Sequence, residues 1–467
     1  GNLYQQNGDA EGARHALERA QQVAPRDANI AYEYGQLLEK QQNLDAALVA
    51  YTHAIELDAA NIPARLALGA LYAQRKQNDE AGTQYAAALQ AGAKDPLALQ
   101  QIGDVLLING EYDTAATAYQ RAIDARVNGS IPANDTTDPN TALAIVYHGL
   151  GQANLKRSQL DAAQAAEQRA LELNPNYGAA LVGLGDIALE NGKPDDASGR
   201  YNAVLQLPNL AVPERVAANI GLGRAAGAQQ EWSVAQAYFS TALGLDNGSP
   251  AAHLWLGEAL VRQTPPNIPA AITEYVAALK LRENRYPEAY FGLAQAQIAS
   301  GRPDLAKANI GYALQLKANY PEALILQGKL YEQLGDTNAA LGSYGQAIGT
   351  KTKLAEPYYR RGMIYVRANE LDKAASDLES AIKLQANFSE AAYWLGRVYL
   401  AQGKLKPARD QFAAAVKSRD GNFADARFYQ GLAEEQLGQR TEAIQSYETA
   451  LEQNASGIGN AYAGSAA

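Results

Sequence analysis

Four histidines (His15, His53, His148 and His253) and no cysteine are all that this 467-residue chain offers to imidazole, thiol and soft-metal chemistry. Without cysteine there is no disulfide, no thiolate nucleophile, no Cys-based zinc site and no iron–sulfur cluster. No histidine has a serine or carboxylate neighbour at a spacing that recurs along the chain, so no general-base arrangement stands out. His148 and His253 fall on helical stretches, where a packing role is the ordinary one. Asp135 and Asp138 share a Pro/Asn/Thr-rich stretch but lack the regular ligand spacing of a calcium loop. GLGDIA from Gly183 and GLGRAA from Gly221 match the G-x-G-x-x-G/A dinucleotide signature in letters only. That signature needs a strand before it and a helix opening at the glycines, whereas these glycines lie inside a helix. Among 50 acidic residues nothing singles out a glycosidase pair. The chain therefore reads as non-enzymatic, with no catalytic residue, cofactor or metal.

Charge and hydropathy narrow the partners. The net charge of −10 and a pI near 5.1 argue against nucleic acid, which needs a basic stripe along the phosphates. No apolar run approaches the 18 or so residues of a membrane span. Residues 1–233 hold 17 basic and 27 acidic side chains and residues 234–467 hold 23 of each, so the whole excess of negative charge is N-terminal. The sequence starts at Gly1, which suggests a processed or trimmed chain. Together with the lack of cysteine, this leans toward the outside of a bacterial inner membrane.

Whatever the chain presents, it presents on elements that repeat. Gly1, Gly35, Gly69 and Gly103 lie 34 residues apart, and the series continues through Gly151, Gly185, Gly223, Gly257, Ala294, Gly328, Gly362, Gly396 and Gly431. Twelve residues after each comes an alanine, from Ala13 and Ala47 to Ala408 and Ala443, with a two-residue slip at Ala271. Seven further on comes another, Val204 being the exception. Between the two alanines sits a bulky residue, usually aromatic: Tyr51, Tyr85, Tyr119, Tyr201, Phe239, Tyr275, Tyr344, Phe412 and Tyr447. The spacing predicts two amphipathic helices of roughly 14 residues per period. Neither is stable alone at that length, so neighbours must stack to supply a core.

This pattern resembles the tetratricopeptide repeat, with Leu-Gly-x-x-Tyr followed by Ala-x-x-x-Phe/Tyr-x-x-Ala, as in PEALILQGKLYEQLGDTNAALGSYGQAI from Pro321. The resemblance implies an all-α fold, a right-handed α-solenoid superhelix of about thirteen helix-turn-helix repeats with the first one truncated. Residues 1–129 and 144–457 are then repeats, and 458–467 is a Gly/Ala-rich tail. Residues 130–143 are surplus to the period and read as an inserted loop with no helix of its own, the most mobile internal segment. Shorter insertions surround Pro213 and span Thr264–Pro269.

In the family, first helices line a concave face on which the second, fifth, sixth, ninth, twelfth and thirteenth positions meet a ligand. Carried onto this chain, the fifth position gives an apolar row ending in Tyr359, Tyr393 and Phe428, with Arg360, Arg367 and Arg397 beside it and Arg361 adjacent. That combination suits a protein or peptide partner that is acidic with apolar anchors. Gly149, Gly183 and Gly221, at the sixth position, are secondary groove candidates, since a mid-helix glycine costs around 1 kcal/mol relative to alanine and close approach by a bound segment would justify it. Tight contact between adjacent first helices is the other explanation. Asp104 and Asp186 lie in the N-terminal groove, and their change should do little to partner capture. Neither the Lys/Asn/Arg carboxylate clamp of chaperone-tail binders nor the asparagine ladder of sugar transferases is present. The expected function is a binding scaffold. Its rivals are end-to-end self-association through uncapped terminal repeats and service as the recruiting arm of a larger protein.

Overall fold

The computed structural model describes residues 10–129 and 137–455. Among them there is no strand. The chain divides into two compact units, Gly1–Asn247 and Gly248–Ala467. The first unit contains α1 (Ala10–Val23), α2 (Ala28–Lys40), α3 (Leu44–Leu57), α4 (Ile62–Gln74), α5 (Asn78–Gln90), α6 (Pro96–Ile108), α7 (Tyr112–Val127), α8 (Pro139–Lys156), α9 (Leu160–Leu173), α10 (Gly178–Glu190), α11 (Pro194–Leu205), α12 (Val212–Ala228) and α13 (Trp232–Leu245). The second contains α14 (Pro250–Arg262), α15 (Ile268–Leu281), α16 (Pro287–Ala299), α17 (Pro303–Leu316), α18 (Pro321–Gln333), α19 (Thr337–Gly349), α20 (Glu356–Arg367), α21 (Leu371–Leu384), α22 (Ser389–Ala401), α23 (Leu405–Lys417), α24 (Ala424–Gln436) and α25 (Arg440–Ala455). From α2 onward, even-numbered helices are the first and odd-numbered the second of each pair, and within each unit every pair packs on the next.

Local chemistry starts and stops these helices. Asp27, Asn43, Asn61, Asp95, Asp138, Ser249, Asn267 and Asp336 each accept a backbone N–H of the turn they open. Nearly every turn inside a pair carries one residue in the left-handed region, seven positions after the repeat glycine. It is Gly110, Gly192, Gly301, Gly335, Gly403 or Gly438 in six turns, and Gln42, Lys76, Ser158, Gln230 or Asn369 in five. The backbone there caps the first helix, as where Asp336 N–H reaches the Tyr331 carbonyl at 2.9 Å, so the turn survives without glycine at some cost in strain.

The expected loop at 130–143 is shorter than the composition suggested. Pro139–Leu143 form the opening of α8, with Pro139 at a helix start and the Asp138 carboxylate accepting Thr141 N–H at 2.9 Å. Asp138 is thus a helix cap. Asp135 and the rest of 130–136 lie outside the described residues, as do Gly1 and the tail 458–467. The division between the units falls at Asn247/Gly248 and the insertion lies within the first unit, where α7 and α8 pack together across it.

The core is built around one side chain per pair. Tyr51, Tyr119, Tyr201, Phe239, Tyr275, Tyr344 and Phe412, all on second helices, are essentially fully buried. Each ring lies against the repeat glycine of its own first helix: a Cβ on Gly35, Gly103, Gly185 or Gly328 would come within 2.5–2.7 Å of it. In three repeats the next first helix closes the other side with a second glycine, so that Gly149 meets Tyr119, Gly221 meets Tyr201 and Gly292 meets Tyr275, each at 2.4 Å. The space a Cβ would take at these sixth-position glycines is therefore filled by the chain's own aromatic rings, and the first helices that carry them also lie close to one another, α6 to α8, α10 to α12 and α14 to α16.

Further bonds staple successive pairs. The residue closing a first helix reaches an acid in the opening turn of the preceding second helix in Arg75–Asp45 (2.7 Å), Arg157–Asp113 (2.6 Å), Gln229–Asp195 (2.6 Å) and Gln402–Asp372 (2.9 Å). Three substitutions test this packing by denaturant or thermal unfolding. Gly221→Ala and Ala340→Leu, at sites with no free volume, should each destabilise by about 1–3 kcal/mol. Gly199→Ala, on exposed α11 surface with nothing near the new methyl, should stabilise by up to about 1 kcal/mol. Equal effects at all three sites would refute the slot.

Candidate functional site

The rings that fill the slots also carry polarity, and this sets what the first helices present. Six slot tyrosines donate their hydroxyl to an acid on the first helix of the same pair. Tyr51 bonds Glu39 (2.6 Å), Tyr119 Asp104 (2.6 Å), Tyr201 Asp186 (2.8 Å), Tyr275 Glu258 (3.3 Å), Tyr344 Glu332 (2.6 Å) and Tyr447 Glu435 (2.8 Å). Those acids occupy the ninth or twelfth position of the repeat. Where neither position is acidic the slot usually holds an apolar residue: Phe239, Ile310, Leu378 or Phe412. Tyr85, facing Ala70 and Ala73, is the exception, and burial pushes its hydroxyl up to about 12. Asp104 and Asp186, placed in the N-terminal groove by the sequence, are thus structural acceptors. Burial pushes Asp104 up, against the pull of the Tyr119 hydroxyl and of His148.

In the second unit, Tyr359, Tyr393 and Phe428 take equivalent places on α20, α22 and α24 and are all half-buried. They form a ladder: Tyr359 rests on Phe388, one residue before α22, at 4.8 Å between centroids, and Tyr393 rests on Phe423, one residue before α24, at 5.3 Å. Phe428 meets Tyr429 at 5.4 Å and Tyr447 at 5.5 Å. The rings brace successive pairs without being fully buried.

The arginines separate into two kinds. Arg360 Nε lies 3.0 Å from Glu356 and its Nη1 3.8 Å from Glu332, while Arg367 Nη2 lies 3.1 Å from Glu332. Arg361 makes a two-pronged pair with buried Asp377, at 2.7 and 2.8 Å. Arg397 differs: among the described residues no carboxylate lies within 4.0 Å of it. Its guanidinium instead sits 4.9 Å from the Trp394 ring, 4.8 Å from Tyr429 and 5.9 Å from Tyr393. In this pair the slot holds Phe412, which needs no acceptor, and the ninth position, an acid at Asp104, Asp186 and Glu258, is Arg397. The slot frees the ninth position but does not alone decide its pairing: Arg224, at the same position over Phe239, pairs with Asp186 of the preceding repeat at 2.5 Å, whereas the repeat before Arg397 has Met363 there. A guanidinium braced by rings keeps N–H donors for a carboxylate.

Trp394 and Tyr429 were missed in the sequence, although the signal was there: the sixth position, glycine in Gly149, Gly183, Gly221 and Gly292, is aromatic in two successive repeats. Missed too was Glu167, which stands in a slot otherwise filled by apolar or aromatic residues. The statement that no histidine has a recurring acidic neighbour is also corrected. His148 Nδ1 lies 2.9 Å from Glu167, and His253 Nδ1 lies 2.6 Å from Glu274. The separations, 19 and 21 residues, are equivalent once the two-residue slip before Ala271 is allowed for.

The tetratricopeptide repeat family profile matches residues 1–62, 65–131, 148–212, 220–286, 291–351, 359–423 and 408–458. The chain belongs to this family. Its fold is an all-α solenoid of helix pairs, and arrays of this family are protein-interaction scaffolds. A curated relative, "Protein CTR9 homolog" of Arabidopsis thaliana, is 25% identical over 303 residues, which are 64% of this chain and 26% of the relative. The chain thus spans about a quarter of that protein's length. A plant relative lends no support to the bacterial source expected from the sequence. The crystal structure of the APC/C hetero-tetramer Cut9–Hcn1 covers 92% of this chain and 88% of its own at 17% identity and a TM-score of 0.48. That of MamA covers 35% and 95% at 29% identity and a TM-score of 0.33.

Glu356 supplies a pH test of the charged network beside the groove. Burial would raise its carboxyl, but Lys329 Nζ at 2.6 Å and Arg360 outweigh it and hold the group below the usual range. A value lower in the folded than in the unfolded chain gives stability that is present above the unfolded pKa and lost as pH falls through the folded one. Between about pH 5 and about pH 3 the native chain should lose stability more steeply than Glu356→Gln. Parallel acid-unfolding curves would remove Glu356 from the network.

Proposed function

We propose that the first-helix face of α20, α22 and α24 holds a segment of a partner protein that carries a carboxylate flanked by apolar side chains. The observation that supports it most directly is Arg397, an arginine with no carboxylate within reach among the described residues, held among Tyr393, Trp394 and Tyr429. Tyr359 and Phe428 extend the apolar surface on either side. Arg360 and Arg367 are already paired with Glu356 and Glu332 and contribute mainly to the stacking of α18 on α20. This narrows the partner site expected from the sequence to one charged contact with aromatic surroundings.

Defined synthetic peptides with one Asp or Glu between Leu or Phe residues are the probe, with Lys-substituted versions as the control, measured by fluorescence anisotropy against the full chain. Arg397→Ala should weaken binding of the acidic peptides about tenfold or more, since a charge-assisted hydrogen bond is worth roughly 1.5–3 kcal/mol. It should also flatten the salt dependence. Arg367→Ala should change affinity little. Equal binding of acidic and Lys-substituted peptides, or an affinity unmoved by Arg397→Ala, would refute the reading. Concentration-dependent self-association that survives Arg397→Glu would favour end-to-end assembly instead.

A further inference from the structure

In the first unit, one slot is inverted in chemistry. Elsewhere among the described residues a second-helix hydroxyl donates to a first-helix acid, or an apolar side chain fills the space, apart from Tyr85, whose hydroxyl has no such acid. In the pair α8/α9 the acid itself, Glu167, occupies the slot and is 0% exposed. Gly151 of α8 and Gly183 of α10 close on it from the two sides, with a Cβ on either falling 2.3–2.6 Å from the carboxylate. The donors come from α8: His148 Nδ1 at 2.9 and 3.1 Å from the two oxygens, and Gln152 Nε2 at 3.2 Å. His148 keeps 23% of its side chain exposed and packs edge-on against Tyr177, at 5.6 Å. The ring therefore joins a fully buried carboxylate to solvent.

We propose that His148 and Glu167 form a proton-controlled joint between α8 and α10. With one proton shared in the imidazole–carboxylate pair beyond the bare carboxylate, the pair is neutral overall and the slot is closed; when the pair loses that proton, an uncompensated negative charge is left in the slot and the joint loosens.

The surroundings reinforce the direction. Asp104 of α6 and Asp186 of α10 act on the pair as further negative charges. Asp186 is itself paired with Arg224 of α12 at 2.5 Å and bonded by Tyr201 of α11. Tyr119 of α7 is held by Asp104, and Tyr177 lies between Glu167 and Glu214 of α12. Burial raises the Glu167 carboxyl, opposed by His148 and Gln152. A group raised in the folded state gives stability that is present at low pH and lost as pH rises through its folded value. Gln152 alone cannot offset a buried charge.

Hydrogen exchange of the full chain, at about pH 6 and about pH 8.5 with intrinsic rates corrected, reads the joint directly. Protection of α8, α9 and α10 should fall at the higher pH, with α18–α20 unchanged. Glu167→Gln, which keeps the shape and removes the charge, and Glu167→Tyr, which restores the residue of the other slots, should both abolish the pH response. A native-like pH response in Glu167→Gln would overturn the proposal, as would an equal response in α14 and α15, where His253 and Glu274 make a more exposed pair.

Discussion

Most of what this chain presents follows from one constraint: a second-helix side chain must fit between first helices that approach closely enough to bury it. Two glycines set the width of the slot in the best-packed repeats, and the ring or acid within it fixes the spacing of successive pairs. Because each pair buries too little surface alone, this contact is both the core and the coupling between repeats. A slot filled by an aromatic ring is apolar over most of its surface, so the hydroxyl of a tyrosine is the one polar group that needs an answer in the buried interior.

That answer links the core to the exposed face. When tyrosine fills the slot, in every such pair but that of Tyr85, an acid on the first helix accepts its hydrogen bond and is held against the core. Asp104, Asp186, Glu258 and Glu332 are committed in this way. When phenylalanine fills it, as Phe412 does, the position is released from structural duty and can carry another chemistry; here it carries Arg397. The candidate partner site and the inverted slot of Glu167 are therefore two departures from the same rule. One frees a first-helix residue, and the other brings an ionisable group into the core.

The second unit adds a second layer of coupling through its aromatic ladder and the network of Lys329, Glu332, Glu356, Arg360 and Arg367. These charges lie at the same register positions that an isolated reading of the first helices assigns to ligand contact. Only their neighbours distinguish the two roles: Glu332 accepts from Tyr344 and pairs with Arg360 and Arg367 at once. Arg397, one repeat along, has rings where those residues have carboxylates.

The sequence alone determined the repeat, because a period of 34 with small residues at fixed points is imposed by helix-pair geometry and survives as a pattern of single letters. It also located the helix pairs, the buried alanines and the apolar row of Tyr359, Tyr393 and Phe428. It misjudged Pro139–Leu143, where composition spoke for a loop but an Asp–Pro pair was starting a helix. Tertiary structure decided which polar residues were occupied. Hydrogen bonds and ion pairs here join residues 12 to 44 positions apart on different helices, and whether Asp104 faces a ligand or a tyrosine depends on a ring that another helix brings to it. The same holds for Gly149 and Gly221, whose empty faces in the sequence are filled by Tyr119 and Tyr201, and for His148, whose acid lies on the next helix. Helical periodicity puts a side chain on a face; only packing determines what that face meets.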